Sequence, residues 1–427
     1  MLKNKVIYLL LFLLFINNQE YLFSQQMDQS EVVKNQKFSV SVDFPETINF
    51  HFEGESTKKI EDIKVEFKTG DRKTLQYSYM DFAQKDLNVV GDMEFRISTQ
   101  GGLIPPGSKI TWNLVIYFDD NTKIITPDQN FVLMDTRFDD WELYEDRSVN
   151  IYYRYSRTRA ERLSEECNEL LQEMFPIVGD VIDDPITIVL YNNYSEMIGA
   201  IRSKSKTSNR KLITAGQAFD EASVVLVLAG RNDIGTSTHE MMHILVGRAT
   251  DGSVLLPLWL NEGLAEYANR DKTVTYDHYL DWGIGTNNLK PLKQLIVFPG
   301  DPNLTLVSYG QSRSVVNYLI DSFGKQKMEL LLLNLSDGQI IDDALFNTYG
   351  FNLDGLDNNW REFVGANPYY NKEGKIIDSK EGKIIDSNQE LSNSSDKGSC
   401  RSNGLLYILV SLFFIYFRGF VNSIYSS

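Results

Sequence analysis

Thr236-Ser237-Thr238-His239-Glu240-Met241-Met242-His243-Ile244-Leu245 is the stretch from which the rest of this chain is best read. On an α-helix, residues four apart share a face, so His239 and His243 present two imidazoles to one point. That is the spacing of a helical zinc site, and the intervening Glu240 lies beside the same point as a general base. Met241, Met242, Ile244 and Leu245 bury the other faces, and Thr236 or Ser237 is the expected N-cap. The pentad uses two of the four histidines in the chain. Two ordinary histidines on a helix would give the same letters, so a third ligand is needed to decide the matter.

A second helix is expected at Trp259-Leu260-Asn261-Glu262-Gly263-Leu264-Ala265-Glu266-Tyr267, and eighteen residues separate His243 from Glu262. By this gap and its Asn-Glu-Gly context the chain resembles the gluzincins, the zinc metallopeptidases that include the thermolysin-type and aminopeptidase-type enzymes. Its layout is most similar to the peptidase-MA-like bacterial metallohydrolases. The likeness covers about Asp140 to Gly365 and takes in Ser308-Tyr309-Gly310-Gln311-Ser312 and the segment from Ala344 to Trp360.

The resemblance implies a zincin-like α+β fold with one Zn2+ per chain, held by His239, His243 and Glu262. It implies that Glu266, one helical turn after Glu262, orients His239, and that Tyr309 donates to the tetrahedral oxyanion. Such a ligand set leaves a fourth position for water, whose pKa zinc lowers towards about 7. Glu240 would take the water's proton and pass it to the leaving amine. The chain departs from the family pattern in one place. The Gly-x-Met-Glu-Asn segment that holds a free amine in aminopeptidase-type enzymes is missing from Thr214–Glu221, so aminopeptidase activity is not implied. The strand Ser223–Leu228 is expected to bind substrate backbone by edge pairing.

Upstream, residues 27–138 alternate with period two between polar turns, as in Phe38-Ser39-Val40-Ser41-Val42 and Ile63-Lys64-Val65-Glu66-Phe67. Short strands at such spacing predict an all-β sandwich of Ig-like type. The fold class is therefore multidomain, an N-terminal all-β sandwich followed by an α+β zincin-like metallopeptidase domain at 139–367. Forty-two basic against 58 acidic residues, a net charge of -16, exclude nucleic acid as a partner. The two cysteines, Cys167 and Cys400, are not expected to pair, so packing rather than a disulfide framework must hold the fold.

The ends carry their own signals. Lys3 and Lys5 precede an apolar run from Val6 to Ile16, which reads as a signal peptide over 1–26 or as an uncleaved anchor. Lys372–Ser379 is repeated as Lys380–Ser387 within a polar linker at 368–403. Residues 404–427 hold a second apolar run, Leu405–Phe417. That run reads as a membrane anchor, a sorting signal processed around Cys400, or a lipid-anchor signal. Each places the protein outside the cytoplasm at a membrane or cell surface, with a peptide or protein as substrate. Two competing readings are a surface adhesion protein with a vestigial zinc domain and a zinc hydrolase of non-peptide amides.

Overall fold

Thr47-Ile48-Asn49-Phe50-His51-Phe52 alternates so that Ile48, Phe50 and Phe52 share one face, and all three are buried. A computed structural model of the chain describes residues 32–369 apart from 71, 100–101, 180, 182–184, 202–214, 251, 253–255 and 272–273. It also describes the backbone of Ile376–Asp378 and Lys383–Ile385. The chain divides into two compact units, one ending at Arg137 and one beginning at Phe138, with Pro105–Gly107 belonging to the second.

The first unit is built from two antiparallel sheets. One runs in the order β1 (Val33–Asp43), β2 (Thr47–Ser56), β6 (Asn88–Arg96), β5 (Asp81–Lys85). The other runs β10 (Lys123–Ile125), β9 (Ser108–Phe118), β3 (Ile60–Thr69), β4 (Gln76–Tyr79), with β11 (Gln129–Leu133) also on β9. A short pair, β7 (Ser98–Thr99) and β8 (Gly102–Leu103), stands apart from both. Phe50 of the first sheet meets Phe67 and Trp112 of the second at ring distances of 5.9 and 5.0 Å, and Phe95 meets Phe67 at 4.7 Å. The inner faces therefore pack through aromatic rings. His51, on the outer side, pairs with Asp92 at 2.7 Å, and among the described residues it belongs to no group able to hold a metal.

The second unit has a five-stranded sheet in the order β12 (Glu142–Glu145), β13 (Val149–Tyr153), β14 (Ile186–Tyr191), β16 (Val224–Leu228), β15 (Gly216–Phe219). The three central strands are parallel and their sequences are almost wholly apolar, as strands covered on both faces require. Helix α1 (Arg157–Val178), capped by Ser156, crosses from β13 to β14, and α2 (Tyr194–Met197) follows β14. Then come α3 (Asp233–Ala249), α4 (Leu258–Ala268), α5 (Val274–Gly285), α6 (Pro302–Phe323), α7 (Lys325–Ser336), α8 (Ile341–Tyr349) and α9 (Leu353–Phe363). One core runs from the sheet through α1, α3, α4 and α6 to Trp360 of α9.

Three expectations change. Strand β16 is not an edge, because β14 and β15 pair on its two sides, and the edge beside α3 is the antiparallel β15. Helix α3 starts at Asp233, not beside Thr236, so Thr236 and Ser237 are buried helical residues and not caps. The negative Asp233 in the first turn suits the positive end of the helix and pairs with Arg159 at 2.5 Å. The tandem repeat pairs its own copies, Ile376–Asp378 antiparallel to Lys383–Ile385. The expected signal segment 1–26 and the apolar segment 404–427 lie outside the described residues, as does Cys400. Among the described residues no helix is long and apolar enough to cross a membrane.

Close approach of α4 and α6 depends on Gly263. A Cβ there would fall 2.5 Å from the carbonyl oxygen of Ser312 and 2.6 Å from Val316 Cγ2. We expect Gly263→Ala to destabilise the protein by about 1–3 kcal/mol, because backbone cannot yield as a side-chain tip can. Gly230→Ala, where a Cβ meets nothing within 4 Å, should stay within about 0.5 kcal/mol of the parent. Denaturant unfolding of the two variants checks the contrast.

Candidate metal centre

Helix periodicity brings the site together within α3 and the packing of α4 completes it. His239 and His243, four residues apart, set their rings 5.1 Å apart. Glu262 on α4 brings Oε2 to 3.6 Å from His239 Nε2 and 3.8 Å from His243 Nε2. One ligand atom from each of the three residues lies within 4.8 Å of the others. His239 and Glu262 are fully buried, and the His243 side chain is 11% exposed.

Both imidazoles are held from behind. Glu266, on the same face of α4 as Glu262, places Oε1 2.9 Å from His239 Nδ1. Asn261 Oδ1 lies 3.1 Å from His243 Nδ1, so the Nε2 of both rings is directed at Glu262. Partners of this kind select the tautomer and orientation of a ligating imidazole. Glu240, 1% exposed, accepts the backbone N–H of Ala218 on β15 at 2.9 Å. A Cβ on Gly216 would fall 2.5 Å from Thr236 Cγ2 and 2.9 Å from Glu240 Oε1, so only glycine lets β15 lie this close to α3.

The donor set fits zinc. Both oxygens of Glu262 and Nε2 of His243 are buried and make no hydrogen bond among the described residues. At 3.6–3.8 Å the three groups are too far apart to satisfy one another and well placed around a small cation. Two imidazole nitrogens and one carboxylate form a common catalytic zinc set, whereas magnesium and calcium prefer oxygens alone. Among the described residues no thiolate joins the group: Cys167 is buried on α1 and its burial pushes the thiol pKa far up.

Charge at the site is unbalanced without a cation. Burial alone would lower the pKa of His239, but the carboxylates of Glu266, Glu262 and Glu240 outweigh it and raise the pKa to about 10. For His243 burial prevails over the raising charges of Glu262 and Asp220, and its pKa is lowered. Tyr309 on α6 is 2% exposed, stacked on Tyr276 at 5.4 Å and met edge-on by Phe298 at 4.7 Å. The hydroxyl of Tyr276 is raised well above its ordinary pKa, first by burial and then by the charges of Glu266 and Glu262. The reading of the sequence missed Asn261, Ala218 and Tyr276. The Asn-Glu-Gly context was the available signal for Asn261; the other two act across elements distant in sequence.

Residues 168–366 match a family model described as the Peptidase MA superfamily, which supports a zincin-like metallopeptidase over that span. No curated protein matches the chain. Among solved structures it is similar to a carbohydrate-binding module family 56 beta-1,3-glucan binding domain, at 11% identity over 23% of this chain and 98% of that one, with TM-score 0.16. It is also similar to a polysaccharide deacetylase from Bacillus cereus, at 12% identity over 39% and 54% of the two chains, with TM-score 0.20. A purple acid phosphatase from yellow lupin seeds gives 12% identity over 47% and 35%, with TM-score 0.19. TM-scores of this size carry no argument about fold or function.

The raised pKa of His239 sets the pH dependence of metal loading. Below about pH 10 the metal-free chain holds a proton on His239 that an incoming cation must displace, while His243 is already neutral. Zinc affinity should therefore rise about tenfold per pH unit between about pH 7 and 9, with one proton released. Calorimetry in buffers of different ionisation enthalpy measures that proton. Glu266→Gln should weaken zinc binding by about 10–100-fold, because the carboxylate charge 2.9 Å from His239 Nδ1 is lost.

Proposed function

We propose that this chain is an extracytoplasmic zinc-dependent metallopeptidase that hydrolyses peptide bonds with Glu240 as general base. The observation that carries the reading is the convergence of His239, His243 and Glu262 beside a buried Glu240, with the edge strand β15 alongside. The match of residues 168–366 to the Peptidase MA superfamily supports the same reaction class.

Zinc held by the three ligands supplies Lewis-acid chemistry, acidifying water and polarising a carbonyl. The protein's own groups do the rest. Glu240, its plane set by the Ala218 N–H, takes the proton of the attacking water and returns it to the leaving amine. Glu266 and Asn261 keep the two imidazoles aimed inward. Tyr309, braced by Tyr276 and Phe298, is the proposed donor to the tetrahedral oxyanion. Strand β15 offers the side away from β16 to an extended substrate, which would pair with it as an added strand. The apolar segments near both ends would export the protein and hold it at a membrane or cell surface.

Hydrolysis of a broad peptide library by the zinc-loaded chain tests the function. Glu240→Gln should bind one zinc per chain and lose activity by about 10²–10⁴-fold. Cleavage undiminished in that variant, or a wild-type chain that retains well under one zinc, would sink the reading. Mass and terminal sequencing of the mature protein check export and anchoring.

A further inference from the structure

Strand β15 and the turn after it run along α3 in step with the turns of the helix. Gly216 lies over Thr236 and Glu240, and Ala218 bonds Glu240. Two residues on, Asp220 lies against Gly247, where a Cβ would be 3.5 Å from Asp220 Cβ and 3.9 Å from its Oδ2. His239, His243 and Gly247 follow one another at four-residue spacing and so share a face of α3. Asp220 therefore stands about one helical turn, roughly 5–6 Å along the axis, beyond the imidazole of His243.

Three features set this carboxylate apart. It makes no hydrogen bond or ion pair with any described residue, while Asp233 and Asp357, also in this unit, are each paired with an arginine. Gly247 leaves space beside it, since a Cβ there would touch no described residue within 4 Å except Asp220. Ala218, Asp220, His243 and Asn261 are partly exposed, whereas Glu240, Glu262 and Glu266 behind them are buried. Asp220 thus stands on the solvent-facing lip of the site, at the end of the strand along which an extended peptide would lie. A partly buried carboxylate with no cation of its own, facing a space without a side chain, is complementary to an ammonium or guanidinium group.

We propose that Asp220 selects peptides with a lysine or arginine side chain in one position flanking the scissile bond, the cationic head resting over Gly247 against the carboxylate. The assignment builds on the peptidase reading above and names its substrate class. A charge pair partly withdrawn from water discriminates by tenfold or more against a neutral side chain of equal length.

The test uses the full zinc-loaded chain and matched peptides in which one position carries arginine, lysine or norleucine. For the wild type, kcat/KM should favour the basic peptides by at least about tenfold at one subsite. In Asp220→Asn the ratio should fall towards one, and in Asp220→Arg it should turn in favour of an acidic residue, with zinc content unchanged in both. Calorimetric binding to the Glu240→Gln chain should show the same preference without turnover, and adding Asp220→Asn should remove it. Glu240-dependent cleavage with no basic preference, or a preference that survives Asp220→Asn, overturns this assignment and leaves the peptidase intact. Absence of any Glu240-dependent cleavage overturns both.

Discussion

Glu240, Glu262 and Glu266 are buried within one small volume together with the rings of His239 and His243. Three carboxylates withdrawn from water repel one another strongly, and an uncompensated buried charge costs several kcal/mol. Without metal, a proton held by His239 offsets part of the excess, which is the physical meaning of its raised pKa. A divalent cation offsets more and satisfies the Glu262 oxygens that no donor of the described chain reaches. The packing of α3 against α4, the glycines that let β15 and α6 close around them, and the placement of Asn261 and Glu266 all serve this concentration of charge.

Close packing and electrostatics are linked here through two glycines. Gly263 lets α6, which carries Tyr309, reach α4, which carries the buried Glu262. Gly216 lets β15 reach α3, so a backbone N–H arrives at Glu240. A side chain at Gly263 would have to move backbone, and one at Gly216 would have to displace Thr236 and the Glu240 carboxylate. Under the proposed function, strand β15 would have two roles from one position, fixing Glu240 and offering an edge to substrate. Its continuation carries the partly exposed Asp220 alongside α3.

Much of the metal centre was legible because it is local. The four-residue spacing of His239 and His243, and of Glu262 and Glu266, is a property of any α-helix and needs no knowledge of the fold. That Glu262 belongs with the histidines came through resemblance, since eighteen residues of chain constrain distance only weakly. Asn261 could have been suspected from its place beside Glu262. Ala218, Tyr276 and Asp220 could not, because each reaches the site from an element whose placement depends on the packing of the whole unit. The period-two pattern of residues 27–138 likewise indicated strands but not which strands pair.

The sequence by itself determined the helices that carry the candidate ligands, the alternation that makes the first unit a pair of sheets, and the net negative charge. These follow from periodicity and charge, which act within a few residues or over the whole composition. Only the tertiary structure decided that β15 and not β16 is the edge of the sheet, that α3 begins at Asp233, and which groups hold each imidazole. Strand order and helix contacts are set by burial of apolar faces against partners far away in sequence, and that choice is made by the assembled core.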